Sequence, residues 1–272
     1  MDIERPTADD AASRILAAIG TTPTPDSVDE FLAGDPSTVV TGAVTTMMAT
    51  VDVLERAVTH GANFIITHEP AFWDHRNESI DALVAEDDPV YRRKLSYIQS
   101  NGLVIWHLHD AMHRVRPDLV DVGTLRRIGW AIPDGLAYPA VIDIEPMRLA
   151  DLATFVAKRL NASSARYIGQ PDLHVKRVGL ALGFRGSPSI RHLLQAGGVD
   201  AVLIGEAHEW EVGAYAADAV TLGFRKALVV LGHVPSEQLG MTEITEIARR
   251  VLPGTPVDFI PCRDPYWAAE NV

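Results

Sequence analysis

The sequence predicts an α/β protein in two parts, with strands that pair mostly in parallel. Three observations lead there. Short apolar, β-prone runs alternate with stretches whose apolar residues recur at helical spacing. The alternation changes character near Trp130 and resumes after Leu222. The chain has 272 residues, 47% of them hydrophobic, which is enough to bury one large core or two modest ones.

The elements follow in order. From Thr7 to Ile19, the spacing of Ala11, Ile15, Leu16 and Ile19 predicts a helix stopped by Gly20. "VVTGAVTTMMAT" predicts a strand, "VDVLERAVTHG" a helix closed by Gly61, and "NFIITH" a second strand. Together these make a βαβ unit, whose crossover implies parallel pairing. "YRRKLSYIQSNG" continues as a helix ending at Gly102, and "LVIW" as a strand running into "HLHDAMHRVRPD". Prolines at 133, 139 and 146 then punctuate a join. "AYPAVIDIE" and "VKRVGLALG" predict strands around the helix "LADLATFVAKRLN". After "AVLIGE" comes a helix from about His208 to Leu222, then the strand "KALVVLGH", a helix following Ser236, and "PVDFIP". The expected division is 1–130 plus 223–272 as a metal-binding α/β domain, with 131–222 as an inserted α/β subdomain.

The formal charge of −12 argues against a nucleic-acid or anionic-membrane surface, both of which need positive potential. A single cysteine, Cys262, forms no intrachain disulfide and fits a reducing compartment. Asp2, Ile3, Glu4 and Arg5 follow Met1 without a basic, then apolar, leader, and no run approaches a membrane span. The expectation is a cytoplasmic protein that acts on a small molecule and engages neither nucleic acid nor membrane.

Four apolar runs end in polar, metal-friendly side chains. "FIIT" ends in His68 and Glu69, and "LVIW" in His107, Leu108, His109 and Asp110, with His113 one turn later. "AVLI" ends in Gly205, Glu206 and His208, and "ALVVL" in Gly232 and His233, with Glu237 four residues on. Ligands of open α/β sheets collect beyond the carboxyl ends of strands, because loops and helix N-termini converge there. His, Asp and Glu without cysteine suit one or two ions of Zn, Mn, Fe or Co with open positions, not a closed structural zinc. His68, Asp110, His233 and Glu237 read as ligands that one parallel sheet would gather at one edge. Ser236 reads as a helix N-cap placing Glu237 in the first turn beside His233. His75, His107 and His113 are candidates for the surroundings of the ion or for loop anchoring. Trp73 and Trp106 read as packing, and Arg114, Arg116, Arg126 and Arg127 as a solvated basic face.

"ATVDVLERAVTHGANFIITHEPAFW", "GLVIWHLHD" and "LGHVPSEQLGMTEITEIA" together resemble the three metal segments of the NIF3-like family, the GTP cyclohydrolase 1 type 2-like proteins. The resemblance implies two α/β parts, a dinuclear metal centre and a homohexamer. It carries His68, Asp110, His233 and Glu237 over as ligands. Where the family has a second histidine after the first, this chain has Glu69, in a form similar to a "THEP" branch with a His109-Asp110 pair. Glu69 can bind the second ion or act as a base, so Glu69 and His109 are the candidate catalytic groups. Glu206 and His208 fall in a segment that resembles the family's substrate side. The expected activity is metal-dependent hydrolysis of a C–N bond in a cyclic amidine or related heterocycle. A metal-delivery protein and a metal-dependent phosphoesterase are the alternatives.

Overall fold

The computed structural model describes residues 5–22, 24–76 and 78–267. Among them ten strands run in chain order: β1 (Phe31–Ala33), β2 (Ala43–Met48), β3 (Phe64–Glu69), β4 (Val104–His107), β5 (Ala140–Arg148), β6 (Arg166–Ile168), β7 (His174–Ala181), β8 (Ala201–Ile204), β9 (Ala227–Val230) and β10 (Val257–Phe259). They form two five-stranded sheets in two compact units, Met1–Val115 with Met241–Cys262, and Arg116–Gly240 with Arg263–Val272.

In the first unit the strand order is β1-β4-β3-β2-β10. β10, β2, β3 and β4 are parallel, and β1 closes the edge antiparallel to β4. Parallel strands covered on both faces read as continuous apolar runs. That is why Phe64, Ile65 and Ile66 are all fully buried, each contributing about 1.5–3 kcal/mol of burial. Trp106 stacks on Phe64 with ring centroids 6.1 Å apart, which makes it a packing residue. The first helix, Ala8–Ile19, begins at a Thr7 capping box with Asp10 and stops at Gly20 in the left-handed conformation. The crossover helix Val51–Thr59 starts from a Thr50 cap and returns the chain to β3.

The second unit orders its strands β5-β7-β8-β9-β6, with β7, β8 and β9 parallel and antiparallel strands at both edges. Ile190, Leu193, Val202, Ile204, Val212 and Leu228 form a buried cluster between this sheet and the helix Ser187–Gln195.

Several expectations change. The joins fall at 115/116 and 240/241, against 130/131 and 222/223 read from the sequence. β9, assigned to the first domain, pairs with β8 and β6 and so belongs with the second sheet. One sheet therefore does not gather all four expected ligands: His68 ends a strand of the first sheet, and His233 follows a strand of the second. The helix expected over 208–222 is a π-helical turn, Glu209–Gly213, followed by an α-helix, Ala214–Thr221. Ser236 is no N-cap. The short helix His233–Glu237 begins after Gly232, and the fully buried Ser236 Oγ accepts the Gly183 N–H at 3.0 Å while donating to the His233 carbonyl at 2.8 Å. No helix among the described residues is long and apolar enough to cross a membrane.

Candidate metal centre

In the first unit, the carboxyl ends of β3 and β4 bring five histidines and two carboxylates together. His68 and Glu69 are the last residues of β3, buried because the strand is covered to its end. The Thr67 hydroxyl donates to the Glu69 carbonyl at 2.8 Å and accepts the Ala49 N–H at 3.1 Å, fixing the turn that aims both side chains. His107 ends β4, and Leu108 continues the ladder by donating to the Thr67 carbonyl. His109, Asp110 and His113 follow on the short helix Asp110–Arg114 and its entry.

The rings pack closely. His68 lies 4.7 Å from His109 and 5.2 Å from His113 between ring centroids, and His109 lies 4.7 Å from His113. His75, from the loop after β3, lies 4.9 Å from His109 and 5.4 Å from His107. Its Nε2 is 3.2 Å from the Glu69 carboxylate. Within the first unit, two groups of donor atoms each fall within 4.8 Å of one another: His68, His109 and His113, and Glu69, His75 and His109.

Three electrostatic features mark the site. His107 is fully buried, and neither ring nitrogen has a hydrogen-bond partner among the described residues. Burial, reinforced by His109, His75 and His68, pushes its pKa down to about 3, so it is neutral at pH 7. Asp110 Oδ1 is 3.0 Å from His109 Nδ1, and Oδ2 accepts from Arg114 at 3.1 Å. The His109 hydrogen bond is the largest of the influences that push Asp110 down to about 2. Burial lowers Lys94 to about 8; its ammonium donates to the Ala71 carbonyl and lies 5.4 Å from the Trp73 ring, bracing the loop that carries His75. Trp73 itself is 55% exposed with a φ of 66°, so it packs less fully than the sequence implied.

A residue that sequence reasoning missed holds this arrangement. Asp29 accepts the backbone N–H groups of His109, Asp110 and Ala111 at 2.6, 2.9 and 2.9 Å. Its carboxylate caps a helix 80 residues further along the chain, and no local spacing signals such a partnership.

In the second unit, His233 and Glu237 are four residues apart on one helical turn, with His233 Nε2 3.0 Å from Glu237 Oε2. His233 Nδ1 is 2.9 Å from Glu206 Oε1, so the imidazole sits between two carboxylates. Glu237 is buried and lies over Gly183, where a Cβ would collide with its carboxylate and where φ is 66°. Nearby, Arg185 pairs with Asp118 at 3.0 Å. Burial and then the Asp118 charge push the Asp121 carboxyl well up, against the Arg185 guanidinium. His208 is stacked on Trp210 at 5.8 Å and lies 3.6 Å from Glu211.

Residues 28–265 match the model of the family Duf34/NIF3 (NGG1p interacting factor 3). The chain belongs to the DUF34/NIF3 family. Among curated relatives, the GTP cyclohydrolase 1 type 2 homolog of Buchnera aphidicola subsp. Schizaphis graminum is 22% identical over 189 residues, covering 68% of this chain and 72% of the relative. The structure of a Bacillus cereus protein related to NIF3 superposes with a TM-score of 0.79 at 14% identity, covering 98% of this chain and 100% of that one. Staphylococcus aureus protein SA1388 superposes with a TM-score of 0.74 at 15% identity, covering 96% and 99%. At such identities the structural likeness speaks for the fold, which is the expected NIF3-like α/β fold. Within that fold, the DUF34/NIF3 chain described here has histidine and glutamate clusters that can hold a divalent metal ion.

Proposed function

We propose that this DUF34/NIF3 protein is a divalent-metal-dependent hydrolase that opens a C–N bond of a cyclic amidine or related small heterocycle. The observation that carries the reading is the convergence of five histidines and Glu69 at the carboxyl ends of β3 and β4. The donor set fits an ion: imidazoles and carboxylates without cysteine suit Zn, Mn, Fe or Co. The buried ring nitrogens of His107 supply polar groups that the described protein atoms do not satisfy. A divalent ion in such a cluster lowers the pKa of a water it binds towards neutrality and polarises the electrophile.

The chain's own groups supply the rest. Glu69, buried at a strand end and 3.2 Å from His75, is placed to take a proton from the attacking water and return it to the departing nitrogen. Hydroxide adds to the ring carbon, the C–N bond breaks, and the nitrogen leaves protonated. Asp110 is proposed as a further ligand in the first unit, and His233 with Glu237 as ligands in the second, because the family's segments imply them. The name of the Buchnera relative supports a purine-like heterocycle as the starting point for a substrate search.

The test is metal analysis of the purified protein, followed by a hydrolase screen of cyclic amidines, purine nucleotides and phosphoesters with the same metal. Ring opening dependent on the metal and reduced by Glu69→Gln supports the reading. Turnover of phosphoesters alone overturns it in favour of a phosphoesterase, and metal exchange without turnover in favour of metal delivery.

A further inference from the structure

We infer that the second unit carries a pocket for one planar fused heterocycle with an apolar body and a single polar edge, on which a ring carbonyl stands beside an amidine. The inference goes beyond the metal-binding reading and does not rest on it, since every residue of the pocket belongs to the second unit.

Strand register builds the pocket. β6 pairs antiparallel with β9, setting Arg166 opposite Val230 and Ile168 opposite Leu228, so these four project from one face of the sheet. Val212 and Gly213, from the π-helical turn Glu209–Gly213, close the cavity over that face. Its volume of about 270 Å³ lies just below the roughly 300–1,000 Å³ of common small-molecule pockets, which suits one bicyclic ring and not a whole nucleotide. The place favours a ligand: β8 and β9 are parallel, and the cavity reaches their carboxyl ends at Val230 and, just past β8, at Ala207. Single π-helical turns also recur at functional sites. Gly213 keeps the space open. Its φ of −62° and ψ of −52° are helical and suit any residue, so the backbone does not call for glycine there. A Cβ would stand 3.8 Å from Glu209 Cβ and 4.0 Å from Ile168 Cδ1, and a longer side chain would run into the cavity.

The walls are apolar, and the charged groups stand at the lip. Arg166 Nη2 is 2.5 Å from Glu209 Oε1, with the two side chains 64% and 71% exposed. An ion pair so exposed contributes little to stability by itself, so a ligand that rearranges it gives up little. The contact uses one guanidinium nitrogen and one carboxylate oxygen, and among the described residues the remaining N–H groups and the second oxygen stay available. The lip therefore offers donors beside an acceptor. A ring carbonyl accepts from the guanidinium, the adjacent ring N–H and exocyclic amine donate to the carboxylate, and the apolar body enters among Ile168, Val212, Leu228 and Val230. An edge of the reverse kind would set an amine against Arg166 and a lone pair against Glu209. A phosphate or free carboxylate would satisfy Arg166 and be repelled by Glu209.

Calorimetric titration of the full-length protein with 2-aminoquinazolin-4-one, which joins this edge to a benzo body, tests the inference. Quinazolin-4-one, lacking the amine, and 4-aminoquinazoline, with the edge reversed, are the comparison ligands. The first compound is expected to bind the chelator-stripped protein and the protein reloaded with cobalt(II) alike. The other two should bind at least about tenfold more weakly, because a site that hydrogen-bonds an N–H rejects an analogue without it. Glu209→Gln and Arg166→Gln should each weaken the first compound by about 10–100-fold, the scale of a hydrogen bond to a charged group. Glu209→Gln should also narrow its advantage over quinazolin-4-one. Gly213→Leu should abolish binding with the thermal midpoint unchanged; if that variant folds poorly, the two lip variants and the three ligands carry the test. No binding by wild type, equal binding of the three compounds, or full binding by a folded Gly213→Leu would each overturn the inference. Binding that needs cobalt and disappears in His68→Ala/His109→Ala would place the ring at the metal centre and overturn it as well. Absence of any metal uptake, with the binding pattern intact, would overturn the metal-binding reading and leave this one standing.

Discussion

The two units end their parallel strands in the same kinds of residue yet balance them in opposite ways. In the second unit the buried acids Asp118, Asp121 and Glu237 have Arg185 among them, and His233 lies between Glu206 and Glu237. Positive charge is built into the protein there. In the first unit the strand ends present imidazoles, and the one at the bottom, His107, is buried with both nitrogens unpartnered among the described residues. Nitrogen donors gathered around the buried, neutral His107 gain little from one another and much from a cation. A cluster of carboxylates is therefore a weaker sign of an ion site when a guanidinium already stands in it, and a cluster of histidines around a buried, unsatisfied imidazole is a stronger one.

That contrast can be broken at its strongest point first. Arg185→Met removes the guanidinium that pairs with Asp118 and offsets Asp121 and Glu237, a loss worth about 3–5 kcal/mol. Denaturant unfolding should show that loss with or without divalent metal. A loss under 1 kcal/mol would mean that the second unit does not depend on internal neutralisation.

The next effect belongs to the first unit. Lys94 is lowered from 10.5 to about 8 by burial. Between those values the unfolded chain binds the proton that the folded chain has released, so stability rises as pH rises from about 8 to 10.5 and is flat below. The gain is about 3 kcal/mol at most. Lys94→Met should lack the rise, and parallel stability–pH curves for the two proteins over that range would contradict the assignment.

Smaller, and specific to the comparison, is Asp29→Ala. Asp29 anchors the backbone that presents His109, so its loss should weaken metal binding by about 10–100-fold. Stability of the stripped protein should fall by about 0.5–2 kcal/mol, the range for a lost cap. Unchanged cobalt affinity would show that the entry to the helix is set by other contacts.

Much of this was legible in the chain. Continuous apolar runs such as Phe64-Ile65-Ile66 announce buried parallel strands, and the Gly20 stop and the βαβ order follow from local chemistry. The assignment of β9 did not, because strand–helix–strand order is the same whichever sheet the strand joins, and only pairing decides. The edge strands β1 and β6, three residues each, are too short to show a period. For the site, the crowding of histidines after β3 and β4 was visible as sequence. Which of them meet was not: His75 reaches His109 only because its loop folds back over the strand ends, and Asp29 acts across 80 residues. Ser236 looked like a cap because its local pattern fits one, yet its hydroxyl is engaged with Gly183, 53 residues away in sequence.

The central claim is that the first unit's histidine cluster binds a divalent metal in the native state. Elemental analysis of the purified protein, paired with the thermal midpoint before and after chelation, tests it most directly. The account predicts bound first-row metal in the wild type, at least one equivalent lost in His68→Ala/His109→Ala, and a midpoint that metal raises in the wild type. At a free metal concentration 100 times the Kd, that stabilisation is about 2.7 kcal/mol. Wild-type protein with no metal, or a double variant with wild-type metal content and the same metal-dependent midpoint, would contradict it.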